Sequence, residues 1–236
     1  MESEELKRLS ERVQAARERL DRAAQGRPYT LLAASKTQSA ETINLLPACG
    51  IFDYGENRVQ EWVEKHEKID ESLRFHHIGR LQSNKIKYII NHVVLIHSVD
   101  RLDLAQQIAR LAVKNGRRVD VLLQVNPAHE EQKGGVSLQE LPQLYESCLA
   151  LPGLRVRGLM CMAPNTPDER IVHETFAAAR KCFDALAAQD AQVSVLSMGM
   201  SQDADIALEE GSTLVRLGTS LFGRREGYDN TAREGK

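Results

Sequence analysis

Lys36 is the residue in this chain best placed to do covalent chemistry. It follows Leu31-Leu32-Ala33-Ala34-Ser35, a run of small and apolar residues suited to a buried parallel strand, and precedes the polar Thr37-Gln38-Ser39. A lysine at the carboxyl end of such a strand faces the ligand side of an α/β fold, and at an apolar mouth its amine can condense with an aldehyde. Taken alone, a strand-end lysine is usually a solvated loop charge. Two later turns suit an anion. Met198-Gly199-Met200-Ser201 follows one strand candidate, with Ser201 set to cap a helix that runs to Glu210 and closes at Gly211. Arg216-Leu217-Gly218-Thr219-Ser220 follows the next. Each turn has a glycine that lets backbone approach closely, then a hydroxyl and the free amides of a helix start. Asp203 and Asp205 act against an anion there by placing negative charge in the first turn.

The elements needed to bring these pieces together repeat along the chain. Residues 3–24 carry apolar positions at Leu6, Leu9, Val13, Ala16, Leu20 and Ala23, three and four apart, which predicts a one-sided helix lying across its own domain. Gly26 and Pro28 end it, so residues 1–26 form an N-terminal helical segment. After the strand before Lys36, candidates recur at 51–54, 74–78, 93–97, 119–125, 154–160, 193–197 and 213–217, with helical patterns between most of them. Helix starts are expected at Asp100, at the Ser137 and Glu140 capping box, and at Thr166-Pro167-Asp168-Glu169. Eight strands alternating with helices over 236 residues predict a single-domain (β/α)8 TIM-type barrel with an additional N-terminal helix. A doubly wound sheet is the alternative, but no G-x-G-x-x-G follows the first strand. If the barrel closes, strands one and eight are neighbours and the lysine meets both turns on one face.

Composition narrows the classes. The formal net charge is -2, from 31 basic against 33 acidic residues, so no global field draws the chain to nucleic acid or an anionic membrane. The acidic start Met1-Glu2-Ser3-Glu4-Glu5 does not suit a signal or transit peptide, and the expectation is a cytoplasmic protein. Cys49, Cys148, Cys161 and Cys182 form no C-x-x-C pair and the seven histidines no helical ligand spacing, so neither a disulfide framework nor a metal site is expected. The segment after Gly223, residues 224–236, reads as a frayed tail.

Six motifs in order carry a family resemblance. They are Ala34-Ser35-Lys36-Thr37, the run Tyr54 to Glu61, His77-Ile78-Gly79 with Leu81 to Lys85, Gly158-Leu159-Met160, Leu196 to Ser201, and Val215 to Thr219 with Phe222-Gly223. The chain resembles the pyridoxal phosphate homeostasis proteins, single-domain relatives of the alanine racemase N-terminal barrel. The resemblance implies pyridoxal 5'-phosphate (PLP) as cofactor, held as a Schiff base on Lys36. It implies Ser201, Gly218 and Thr219 at the phosphate, Arg216 beside the pyridine nitrogen, Asn57 approaching the ring, and Ser197 and Met198 along the same wall. Arg80 departs from the smaller or less charged residues usual after this glycine. Lys133, in a segment matching a family loop, reads as a solvated charge.

A permanent guanidinium at the ring nitrogen weakens the cofactor as an electron sink. No second acid/base group stands out, and Tyr29, Tyr54, Tyr88, Tyr145 and Tyr228 have no spacing that nominates one. The resemblance therefore implies a monomeric holder of PLP without robust catalysis, serving vitamin B6 and amino-acid homeostasis and releasing the cofactor to apo PLP-dependent enzymes. A weak amino-acid racemase or a related PLP enzyme is the alternative.

Overall fold

The computed structural model describes residues 2–128 and 134–223; Lys133 and the expected tail lie outside them. Helix α1 (Glu2–Ala24) comes first. Eight parallel strands follow: β1 (Thr30–Ala34), β2 (Asp53–Glu56), β3 (Arg74–His77), β4 (Leu95–Val99), β5 (Val119–Val125), β6 (Leu154–Cys161), β7 (Val195–Ser197) and β8 (Leu214–Leu217). Each pairs with its sequence neighbours and β1 pairs with β8, closing the sheet into the expected barrel.

Between the strands run α2 (Ala40–Ile43), α3 (Val59–Lys65), α4 (Ile86–Ile89), α5 (Leu102–Lys114), α6 (Leu141–Leu149), α7 (Glu169–Ala187) and α8 (Ala204–Glu209), and α9 (Thr219–Phe222) follows β8. No helix among the described residues is long and apolar enough to cross a membrane.

The core has two parts, as the alternation of side chains along a strand requires. Leu31 and Ala33 of β1, Phe75 of β3, Ile96 of β4 and Leu196 of β7 face outward into one large cluster shared with the helices. Leu95, Leu122 and Met160 form a small apolar layer inside the barrel. Helix α1 buries Leu9, Val13, Ala16, Leu20 and Ala23, the stripe seen in the sequence, and crosses α8 and α9. Arg19 of α1 meets Asp205 of α8 at 3.1 Å.

Several element ends differ from expectation. The second strand runs on through Gly55 and Glu56, past its expected end at Tyr54, because both pair with β3. Asp100 does not cap α5; its carboxylate accepts from Arg101 at 2.8 Å, and Arg101 is the N-cap. The capping box of Ser137 and Glu140 forms in both directions, with amide distances of 3.1 and 3.2 Å. In the next helix the cap moves two residues on. The Asp168 carboxylate accepts from the Arg170 amide at 3.0 Å, while Thr166 and Pro167 precede the helix.

Gly158 is the position where β6 most needs a glycine. Its φ is +146°, and a Cβ there would stand 1.9 Å from the Val195 carbonyl oxygen of β7. Gly158→Ala should therefore cost about 4 kcal/mol or more. Gly116→Ala, at φ +65° with open space around it, should cost only about 1 kcal/mol. Urea unfolding of both variants checks this, and equal losses would contradict the close β6–β7 approach.

His77 of β3 is completely buried, and burial pushes its imidazole down to about 4, partly countered by the Gly79 and Arg80 backbone. The unfolded ring binds its proton near pH 6.5 and the folded ring only near 4, so the unfolded state takes up protons first as pH falls. Stability present above pH 6.5 should decline by about 3 kcal/mol as pH falls to 4. His77→Asn should flatten that part of the profile; a flat profile in the parent protein would show that the ring is not held neutral.

Candidate ligand-binding site

The carboxyl ends of the strands form one rim, and β1, β2 and β8 bring most of the candidate residues to it. Ala34 pairs with Gly55, and two residues beyond that pair come Lys36 on one strand and Asn57 on the other. On the opposite side of β1, Ala33 pairs with Leu217, so Gly218 begins the loop beside Ala34. A Cβ on Gly218 would stand 3.4 Å from the Ala34 carbonyl oxygen. Lys36 keeps the inward parity of Leu32 and Ala34 and is exposed; Asn57 is half-buried and Thr219 exposed.

Ser201 does not cap its own helix. Helix α8 starts at Ala204, and Asp203 stands at its N-cap position. The Ser201 Oγ instead accepts from the Gly218 amide at 3.2 Å, the Ser220 amide at 3.3 Å and the Ser220 hydroxyl at 2.9 Å. The turns after β7 and β8 thus share one point where backbone donors converge on a single oxygen. This is a cradle for an anion's oxygen atoms. The nearby acids are engaged elsewhere. The Asp203 carboxylate accepts from the Met200 amide at 2.6 Å, and Asp205 is paired with Arg19.

The segment carrying Lys36 is clamped from behind. Ser35 is completely buried, its hydroxyl donating to Glu56 at 2.5 Å. Lys65 of α3 reaches the same carboxylate at 2.6 Å and also donates to the Gln38 carbonyl at 2.9 Å. The Thr37 amide donates to Glu61 at 3.2 Å, and Thr37 itself sits at φ +70°, a strained conformation for a β-branched residue. Burial raises the Glu56 carboxyl above its usual range, and Lys65 and Ser35 offset part of that rise.

Ser197 and Arg216 lie inside the barrel. Arg216 is 4% exposed and donates to the Ser197 carbonyl at 2.9 Å, to the Ser197 hydroxyl, and to the Cys161 carbonyl at 3.2 Å. Burial pushes its guanidinium down to about 10, which leaves it charged at neutral pH. Met198 is separated from this group. One residue past inward-facing Ser197, it points into the outer core and is fully buried there. Arg80 is exposed at the turn after β3.

Sequence reasoning missed the polar groups beneath Arg216. His97 is completely buried and its Nδ1 is 3.0 Å from the Ser197 hydroxyl; its Nε2 is 3.0 Å from Nδ1 of His76, whose Nε2 is 2.9 Å from Asp53. The available signal was polarity at inward positions of otherwise apolar strands. It also missed Glu56 and Lys65 as an ion pair, although both lie near a motif that carried the resemblance.

A family model described as "Alanine racemase, N-terminal domain" matches residues 5–226. Alanine racemase of Clostridium difficile 630 shares the fold, with a TM-score of 0.76 at 15% identity, covering 94% of this chain and 57% of the racemase. Fold and rim together define a barrel of the alanine racemase N-terminal type. The pyridoxal phosphate homeostasis protein of Aquifex aeolicus is 46% identical over 225 residues, 94% of this chain and 98% of its own. That of Escherichia coli K12 is 36% identical over 228 residues, 94% and 95% of the two chains. PipY of Synechococcus elongatus PCC7942, solved with PLP bound, has a TM-score of 0.78 at 36% identity, covering 91% of this chain and all of its own. The chain belongs to the pyridoxal phosphate homeostasis protein family.

The clamp on the Lys36 segment can be tested without a ligand. Lys65→Met leaves the Glu56 carboxylate buried without its cation and should destabilise the protein by about 3 kcal/mol at pH 7.5. Because the folded carboxyl then binds a proton more tightly than the unfolded one, part of that loss should be regained as pH falls toward 5. Chemical unfolding at the two pH values, with hydrogen exchange at residues 35–38, measures both effects. Unchanged exchange there would remove Lys65 from the support of the segment.

Proposed function

We propose that this chain binds PLP, holds it as a Schiff base on Lys36, and acts in vitamin B6 and amino-acid homeostasis as a carrier that passes the cofactor to apo PLP-dependent enzymes. The observation that carries the reading is the pairing of β1 with β8, which sets an inward-parity lysine and two convergent backbone amides on one rim. The relative solved with PLP bound, matched over the whole of its own chain, supports the choice of ligand.

PLP supplies an electrophilic aldehyde and a dianionic phosphate. Lys36 would hold the aldehyde covalently through its amine. The Gly218 and Ser220 amides, with the Ser201 and Thr219 hydroxyls, receive the phosphate oxygens. Arg216, charged and held by Ser197 and Cys161, would donate to the ring nitrogen and keep it unprotonated, so the protein would hold the aldehyde without activating it strongly. Asn57 borders the ring. Every one of these groups comes from a single copy of the chain, so a monomer suffices for the site. Release to another enzyme's lysine needs only water or an amine at Lys36, which lies at the exposed edge of the rim.

The purified protein should show an absorbance band that borohydride abolishes, and peptide mapping should find the reduced label on Lys36. Lys36→Ala should lose that label at this position. PLP should bind at least about tenfold more tightly than pyridoxal without phosphate, a preference that Ser201→Ala narrows. Absence of a reducible band in the parent protein, or equal affinity for the two vitamers, would remove the basis of the reading.

A further inference from the structure

Arg216 stands at one end of a buried row of polar side chains that crosses the barrel beneath the rim. From Arg216 the row passes through Ser197 of β7, His97 of β4 and His76 of β3 to Asp53 of β2. Each member is less than a tenth exposed. At its far end Asp53 also accepts two hydrogen bonds from Arg74, and both line a cleft of about 520 Å³ at the opposite mouth of the barrel, beneath α1.

With both imidazoles neutral and Asp53 ionised, donor and acceptor chemistry gives one consistent direction along this row. A guanidinium can only donate, so the Ser197 oxygen accepts from Arg216 and the Ser197 proton is left free to go to His97 Nδ1. His97 Nδ1 is then the acceptor of a neutral ring, and His97 Nε2 carries the hydrogen toward His76 Nδ1. His76 Nε2 in turn donates to Asp53, which as a carboxylate can only accept. Every hydrogen bond points from the cation toward the anion, and both imidazoles are the Nε2–H tautomer.

We propose that His97, His76 and Asp53 are positioning residues for the bound cofactor: their one-way hydrogen-bond chain fixes the Ser197 hydroxyl as an acceptor and thereby holds the Arg216 guanidinium in place under the ring. The inference rests on the PLP reading for its ligand, but the chain exists in the protein alone. Asp53 supplies the fixed negative end that sets the direction. Burial, with His76 and Arg216 close by, pushes His97 well below the ordinary histidine value, in keeping with a neutral ring. Burial raises Asp53, but hydrogen bonds from His76 and Arg74 bring it below the usual carboxylate range, in keeping with an anion at the terminus.

Nitrogen-15 correlation spectra of the histidine rings, taken on the full chain at pH 7 without PLP, test the chain directly. Two buried rings should appear as neutral Nε2–H tautomers, and His97→Leu and His76→Leu should each remove one and perturb the other. A doubly protonated ring or an Nδ1–H tautomer at either position overturns the proposal. The link to the cofactor is tested on PLP-loaded protein. His97→Leu should shift the bound absorbance band and release PLP about tenfold faster. His97→Asn, whose Oδ1 can take the place of Nδ1 as acceptor for Ser197, should recover much of both effects, a rescue that mere filling of space does not predict. If both variants release PLP as the parent does, the chain does not position Arg216. If the parent shows no borohydride-reducible band while the ring spectra are as expected, the PLP reading fails and the hydrogen-bond chain stands.

Discussion

The parallel pairing of β1 with β8 is the contact on which the rest depends. It closes the sheet, aligning Leu32 with Arg216 and Ala33 with Leu217. Lys36 and Gly218 are separated by about 180 residues of chain, and only closure makes them neighbours. In an open sheet β1 and β8 could lie at opposite edges, and the amine and the anion cradle would have no common ligand. Helix α1 supports this seam by burying its apolar stripe against α8 and α9, the helices on either side of β8.

Closure also creates an interior that must be filled. The apolar layer of Leu95, Leu122 and Met160 occupies only part of it. Near the amino-terminal ends of the strands Arg74 meets Asp53, and Arg155 meets Asp120 at 2.6 Å; the row to Arg216 starts at Asp53 and runs beneath the rim. A buried guanidinium is costly unless charge and hydrogen bonds compensate it. The carbonyls of Ser197 and Cys161 do so by accepting hydrogen bonds, and the Asp203 carboxylate adds a favourable charge nearby. The barrel can therefore keep a buried cation beneath its rim.

Outside the barrel, Glu56 and Lys65 give the Lys36 segment its shape. The segment presents an accessible amine on a fixed backbone. Access comes from its place just past the strand end, and fixity from Ser35, Gln38 and Thr37 being tied to α3 and β2. The strained Thr37 backbone persists because those bonds determine it from both sides.

Periodicity in the sequence was enough for the eight strands, the amphipathic α1 and the barrel, because alternation and helical spacing are local consequences of burial. The place of Lys36 just past a buried strand was legible for the same reason. Helix starts at Asp100 and Thr166 were misplaced by one or two residues, since Arg101 and Asp168 stand at the N-cap positions instead. Ser201 was read as a local cap, but its oxygen serves amides at Gly218 and Ser220, and such a partner exists only after closure. The row Asp53, His76, His97, Ser197 and Arg216 draws one member from each of five strands spread over more than 160 residues. Sequence determined which strands carry a polar residue at an inward position; tertiary structure alone decided which of them touch and in which direction the hydrogen bonds run, because both depend on the register of strands far apart in the chain.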